Sequence, residues 1–588
     1  MKNIIISLMS LVTLILLPSC EEMMGDFLEK APGVDVTEDT IFSSQVQVET
    51  FVAGTYRYGI HSILPRNERN YTGLPRYTTT SIATDESESA VTWPGLQTWN
   101  VADVTPDNCS NNEDLRWTTS ALRFVAIRRA NILLARIDQV NGLDPAYVSQ
   151  VKGEAKFIRA LNYFELLKRY GGVPIVDKKF ELTDDFNVPR STVKEVVDFI
   201  IKDCDDAIAL LPDVYPSNYR GRATKGAALM LKSRTLLYAA SPLFNTATPY
   251  LSMDDPANNT LICYGNYDGS RWQAAADAAK AVIDWAPSGG IALITNQGTD
   301  KNYKYIFEAN DNSEIILASK SSGTRTITQW PWTGLMPQRF YSGTWGMGYT
   351  MTLNFLKKYE KQDGTAQTWD PVGGTDLIQK YNELDLRFKQ TCAIVGSNWN
   401  SDIALVSSYI KQDGKNAPHN DGNVCGQWIT KHIPRTLRQS ANSAMPNDII
   451  FRLAEAYLNY AEALNEAQGP VPAAYDAVNI IRARSGQPDL PPGLNKEEFR
   501  ERVRNERAIE LFDEDHRLWD IRRWMIAEQD GVMQGNFYGL KIYENPAPPD
   551  FRYEVYKFET RLWNRRMYLH PFRRDEVLKG YLIQNPGY

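Results

Sequence analysis

The sequence predicts an all-α fold: tetratricopeptide-like helix pairs forming a frame, with an inserted loop-rich lobe containing small strands. Three observations lead there. Apolar residues recur at spacings of three and four through both ends of the chain, the period of amphipathic helices. The middle is crowded instead with glycine, proline, asparagine and aromatic residues, the composition of loops and short strands. Several helical stretches are rich in alanine, which lets helix axes approach closely. At 588 residues, 43% hydrophobic and 23% charged, the chain can bury a large core, and its composition excludes wholesale disorder, a collagen and a polytopic membrane protein.

The N-terminus supplies an address. Lys2 opens a short basic segment, residues 4–17 are an apolar-to-neutral run of 14, and Leu17-Pro18-Ser19-Cys20 follows directly. A spanning helix needs about 20 apolar residues, so the run is expected to be a secretory signal peptide covering 1–19. Leucine, a small residue and then cysteine at its end resemble a bacterial lipobox, which makes Cys20 the expected lipidation site and the mature N-terminus. The remaining cysteines, Cys109, Cys204, Cys263, Cys392 and Cys425, contain no C-x-x-C pair, so neither a zinc site nor a redox motif is expected, nor any reliance on disulfides.

Helices are expected over 113–137, 151–170, 192–211, 223–240 and 272–285. In the second of these Phe157, Leu161, Phe164 and Leu167 share a face, and Gly171-Gly172-Val173-Pro174 stops it, with glycine as a left-handed cap. A strand is expected over 173–176. The lobe runs from 287 to 447 with short segments such as 314–318. Helices resume at 448–467, 472–484 and 495–513, where Pro472 suits a first turn and Asn495 with Glu498 forms a capping pair. The N-terminal helical part is thus 20–286 and the C-terminal part completing the frame is 448–588.

Five ordered strings carry a family resemblance: GEAKFIRALNYFELLKRYGGVPIV (153–176), ATKGAALMLKSRTLLYAASPLFN (223–245), RLAEAYLNYAEALNEA (452–467), RNERAIELFDEDHRLWDIRRW (504–524) and the terminal QNPGY. They resemble the SusD/RagB family, which implies a single SusD-like domain over 20–588. The resemblance implies a surface-exposed, lipid-anchored outer-membrane protein that binds an oligosaccharide or other nutrient and delivers it to a SusC-like TonB-dependent transporter. Glu21 and Glu22 after Cys20 also look like the acidic surface-export signal of such lipoproteins.

Catalytic and cofactor motifs are missing: there is no G-x-S-x-G, H-E-x-x-H, phosphate loop or dinucleotide fingerprint, and no cofactor or metal is expected. Asp513-x-x-His516 imitates half of a dimetal site, but no other histidine has a carboxylate three residues before it. The charged run from Arg502 to Arg523 is expected to be structural, with i,i+4 pairs such as Arg502–Glu506 and Asp513–Arg517. A net charge of −7, from 64 basic and 71 acidic residues, gives a nucleic-acid backbone no general attraction.

For binding, two aromatic clusters stand out in irregular sequence. The first holds Arg76, Tyr77, Asp85, Trp93, Trp99 and Asn100; the second holds Trp330, Trp332, Tyr341 and Trp345, spaced by glycines. Aromatic faces stack on sugar rings, and Arg, Asp and Asn orient hydroxyls without a reaction. Two alternatives to glycan capture stay open at this level: a secreted glycosidase, whose two carboxylates leave no local motif, and a helical scaffold for other proteins.

Overall fold

The computed structural model describes residues 38–588 except 61–62, 66–77, 93–94, 110–121, 321–324, 342–343, 440–446 and 547–549. The signal-peptide residues and Cys20 lie outside the described residues, as do Arg76, Tyr77 and Trp93.

Among the described residues the first half is built on six long helices: α1 (Gln45–Gly59), α2 (Leu122–Arg136), α3 (Pro145–Tyr170), α4 (Val193–Leu210), α5 (Lys225–Ala240) and α6 (Ser270–Trp285). Each packs on the next. Local chemistry sets their ends. In α3, Pro145 sits in the first turn, the Asp144 carboxylate accepts the Ala146 N–H, and Gly171 closes the helix at φ 75, a conformation that spares glycine a side-chain clash. In α4, Thr192 and Glu195 exchange bonds as a capping box.

The chain then leaves for the lobe and returns as α7 (Leu453–Gln468), α8 (Pro472–Arg484), α9 (Lys496–Glu510) and α10 (Arg517–Arg523). Helix α7 packs on α6, so the helical frame closes across the inserted segment. The expected capping pair opens α9: Asn495 accepts the N–H groups of Glu497 and Glu498, and the Glu498 carboxylate accepts the Asn495 N–H. One core, with Phe157, Phe164, Leu167, Leu231 and Trp519, fills the frame. A second, with Trp99, Trp332, Phe355, Phe388 and Trp428, lies beneath the lobe.

Among the described residues there are nine strands, all paired antiparallel. They are β1 (Ser87–Ser89), β2 (Ile315–Ser319), β3 (Tyr349–Met351), β4 (Gly373–Gly374), β5 (Cys392–Ala393), β6 (Trp428–Ile429), β7 (Asp448–Arg452), β8 (Gly535–Glu544) and β9 (Phe551–Arg561). They form sheets in the orders β1-β3-β6-β5, β2-β7 and β4-β9-β8.

The sequence expectation is corrected in five places. The fold is mostly helical rather than all-α, because β8 and β9 form a long hairpin in the segment assigned to helices. The first five residues of the helix expected over 448–467 are strand β7, paired with β2. No strand forms over 173–176: the Val176 N–H donates to the Tyr163 hydroxyl at 2.6 Å and its carbonyl accepts Asn131 Nδ2 at 3.0 Å, so side chains take the place of a ladder. Helix α9 ends at Glu510, and Asp513 and Asp515 lie at positive φ in the following turn.

The fifth correction concerns the charged run. The two expected i,i+4 pairs do not form; apart from pairs such as Arg523–Asp520 and Arg507–Asp520, its partners are distant in sequence. Arg502 pairs with Glu360 at 2.6 Å, Glu506 with Arg387 and Arg482 at 2.5 and 3.0 Å, and Arg517 with Asp85 at 2.7 Å. Glu510 lies among Arg387, Arg452 and Arg484, and Glu514 between Arg452 and Lys431. Arg387 and Lys431 belong to the lobe, Arg452 to β7 and Arg484 to α8, so these buried ions fasten lobe to frame. Burial opposes the charged form of Glu510, yet the three arginines outweigh it and hold the carboxyl far below its usual range.

Candidate functional site

The lobe carries an open cleft of about 650 Å³, inside the span of small-ligand sites. Its walls come from three irregular segments: Arg339, Phe340 and Tyr341 with Thr344 and Trp345, the hairpin tip from Asp402 to Leu405, and Pro418-His419, with Gln439 at the edge. Loops supply it because only irregular backbone lets a large ring point outward from a packed base.

Two residues hold the walls together. The Asn400 amide donates to the Tyr341 hydroxyl and to the carbonyls of Arg435 and Leu437, at 3.0, 3.2 and 3.1 Å. Its side-chain oxygen accepts the N–H groups of Asp402 and Ile403, which bends the hairpin tip. Tyr341 is buried and donates its hydroxyl to the Leu437 carbonyl at 2.6 Å; burial raises its pKa, so it serves as a neutral brace. The Tyr341 carbonyl accepts both the N–H and the hydroxyl of Thr344, a turn that delivers Trp345 to the rim. Trp345 is left 57% exposed, the one tryptophan among the described residues that is largely exposed.

Polar groups surround that ring. The Ser407 N–H donates to His419 Nδ1 at 2.9 Å, and burial pulls the imidazole below its ordinary pKa. The ring is therefore neutral near pH 7 with its proton on Nε2, a fixed donor. Phe340 packs edge-on against His419 at 5.5 Å. Asp402 accepts from Arg438 at 3.3 Å and from the Gln439 N–H at 2.9 Å, and Arg339 pairs with Asp421 at 3.1 Å. An exposed indole ringed by a carboxylate, a guanidinium and an imidazole can stack on the face of a ring and orient its hydroxyls.

The structure sorts the sequence candidates sharply. Trp345 and Tyr341 meet at the cleft, the first as a rim ring and the second as its brace. Trp330 is half-buried and does not line it. Trp332 is fully buried and donates its indole N–H to the Arg325 carbonyl at 3.0 Å. Asp85, Trp99 and Asn100 are enclosed as well. Arg517 neutralises Asp85; Trp99 packs on His570 and beneath Arg522; and Asn100 Nδ2 donates to the Ile82 carbonyl at 3.1 Å. Their expected role as ligand contacts is corrected by this burial, because the second core forms around them. Sequence reasoning missed Arg339, Asp402, His419 and the organising Asn400. Only the Asn400-Ser401-Asp402 turn chemistry hinted at a presented tip. Among the described residues no group of three or more His, Cys, Asp or Glu could hold a metal ion, and the five described cysteines are free thiols.

The overall fold is shared with a solved SusD-like protein from Bacteroides fragilis, 28% identical, which superposes with a TM-score of 0.75 over 95% of this chain and 100% of that one. Residues 313–588 match the model described as SusD family, and residues 26–237 match the one described as starch-binding associating with outer membrane. SusD-like protein P25 of Formosa agariphila is 25% identical over 526 residues, covering 86% of this chain and 87% of that protein. Starch-binding protein SusD of Bacteroides thetaiotaomicron is 21% identical over 493 residues, 75% of this chain and 81% of that protein. The chain belongs to the SusD family.

Proposed function

We propose that the protein is a cell-surface lipoprotein that binds an oligosaccharide in the Trp345 cleft and passes it to a SusC-like TonB-dependent transporter. The observation that carries the binding step is the exposed Trp345 indole, held on a braced turn among Arg339, Asp402 and His419. The starch-binding name of one relative and the outer-membrane description of one matched model support the ligand class and the location. Residues 1–19 are the removed leader and 20–588 the mature domain in this reading. Among the described residues no helix is long and apolar enough to cross a membrane, so the acyl chains on Cys20 supply the anchor.

Binding without catalysis is favoured by the cleft's own carboxylate inventory. Among the described residues lining it, Asp402 is the single acid, and glycoside hydrolysis needs two flanking carboxyls about 5–10 Å apart. The test is incubation of the purified mature chain with a panel of glycans. Depletion of one glycan with no new reducing ends is the expected result. Cleavage would mark a glycosidase, and no uptake of any glycan would mark a protein scaffold; either result rejects the proposal.

A further inference from the structure

A second cleft, about 330 Å³, lies beside the first. The two clefts share stretches of chain. Asn398 and Trp399 face the second from the hairpin whose Asp402–Leu405 tip lines the first, and Arg435 faces the second four residues before Gln439, which lines the first. The hairpin is closed by paired backbone bonds, Val406 N–H to the Ser397 carbonyl at 2.8 Å and Trp399 N–H to the Ile403 carbonyl at 3.0 Å. One rigid wall therefore separates two adjoining sites.

The chemistry of the second cleft differs from the first. Its lining contains Lys389 and Arg435, the hydrogen-bonding side chains Asn382, Ser397 and Asn398, and no aspartate or glutamate. Neither cation makes an ion pair with a described residue. Lys389 Nζ donates to the Asn382 side-chain oxygen at 2.8 Å, and the Arg435 guanidinium lies 5.2 Å above the Trp399 ring. Outside the lining, the Glu308 carboxylate accepts the Arg435 peptide N–H at 2.8 Å and lies 4.0 Å from Lys304 Nζ. A third cation, Lys304, sits 5.5 Å from the same Trp399 ring with its three donors spent on the carbonyls of Thr430, Lys431 and Ile433. Burial depresses the Lys389 ammonium with no carboxylate to restore it. In a protein of net charge −7, a pocket holding only positive side chains is a local inversion of the field.

We infer that this second cleft holds an anionic substituent, a carboxylate or a sulfate ester, of the same oligosaccharide that stacks on Trp345, so that the ligand class is an acidic glycan. The inference rests on the proposed glycan-binding function and narrows it. Lys389 and Arg435 would each form a charge-assisted hydrogen bond to the anion, with Asn398 and Ser397 available to neighbouring hydroxyls.

Affinity electrophoresis tests it, with gels containing starch, laminarin or xylan as neutral probes, polygalacturonate as the carboxylate probe and carrageenan as the sulfate probe. The expected result is retardation by polygalacturonate or carrageenan, whichever bears the matching anion, abolished near 1 M NaCl, where the screening length falls to about 3 Å. Arg435→Gln, an exposed position, should weaken that retardation about tenfold, and Lys389→Gln with Arg435→Gln further, at an unchanged melting temperature. Retardation by a neutral probe alone, or acidic binding indifferent to both variants, overturns the acidic-ligand inference while leaving glycan binding at Trp345 intact. No retardation by any of the five probes counts against both.

Discussion

Arg517 grips Asp85 through both arms of its guanidinium, at 2.8 and 2.7 Å, across 432 residues of sequence and away from solvent. Burial pushes the Asp85 carboxyl up, but Arg517, aided by Lys358 and Arg561, outweighs it and holds the pKa below the usual range. The pair ties the segment before β1 to α10. Asp85→Ala strands a buried guanidinium and should cost about 3–5 kcal/mol, read as a lower denaturation midpoint, with ligand affinity per folded molecule unchanged. A variant that melts normally but no longer binds ligand would return Asp85 to the binding site.

The fastening between lobe and frame gives a second expectation. Glu510→Ala leaves Arg387, Arg452 and Arg484 facing one another in the interior. A loss of about 3–5 kcal/mol is expected, larger than for Arg500→Ala, whose partners Glu466 and Glu497 are partly or well exposed. Equal melting curves for the two variants would contradict the ranking.

Acid should loosen this same fastening. The carboxyls of Glu506, Glu510 and Glu514 are held below their ordinary values, and Glu462 is held down to about 2: burial opposes each, and the neighbouring arginines, with Lys431 at Glu514, win. Groups depressed by folding stabilise the native state above the unfolded pKa and lose that contribution as pH falls through the folded one. Glu88 has the opposite sign. Burial drives it up to about 7 against the pull of Arg561, with Glu559 adding to the rise. Between roughly pH 4.5 and 7 the native state therefore binds the extra proton, and this group's contribution falls as pH rises. Glu88→Gln should accordingly gain on the parent protein by about 3 kcal/mol across that window and run parallel above it. A difference that is flat from pH 4.5 to 8 would show that Glu88 is ionised throughout.

What the sequence revealed, and what it hid, follows the range of the interactions. The start of α9 at Asn495 and Glu498, the Thr192 cap of α4 and the full extent of α8 were legible because each is decided within a few residues. Strand β7 was hidden because Asp448–Arg452 runs straight into α7 and is extended only through its pairing with β2, more than a hundred residues earlier. Strand β9 is legible in the alternation of Phe551, Tyr553 and Val555 with Arg552 and Glu554, a period of two. The candidate cleft was the least legible part. Trp332 and Trp345 share the same glycine-spaced, aromatic-rich stretch, and only the tertiary packing buries one and exposes the other.

That contrast is itself testable at Trp99. The indole is 1% exposed, packed against His570 with centroids 4.9 Å apart and lying 4.3 Å beneath the Arg522 guanidinium. Trp99→Ala should open a cavity and destabilise the protein by about 3–5 kcal/mol, in place of the simple affinity loss expected of a rim residue. Full stability with weakened binding would move the site to the β1 side of the lobe.

The central claim is that the Trp345 cleft is where ligand binds, and one measurement reaches it most directly. Titration of the cognate glycan into Trp345→Ala, beside a thermal melt of the same sample, should give a roughly 5- to 100-fold weaker Kd, the equivalent of about 1–3 kcal/mol of lost stacking, at an unchanged melting temperature. Normal affinity in a folded Trp345→Ala protein would contradict the account.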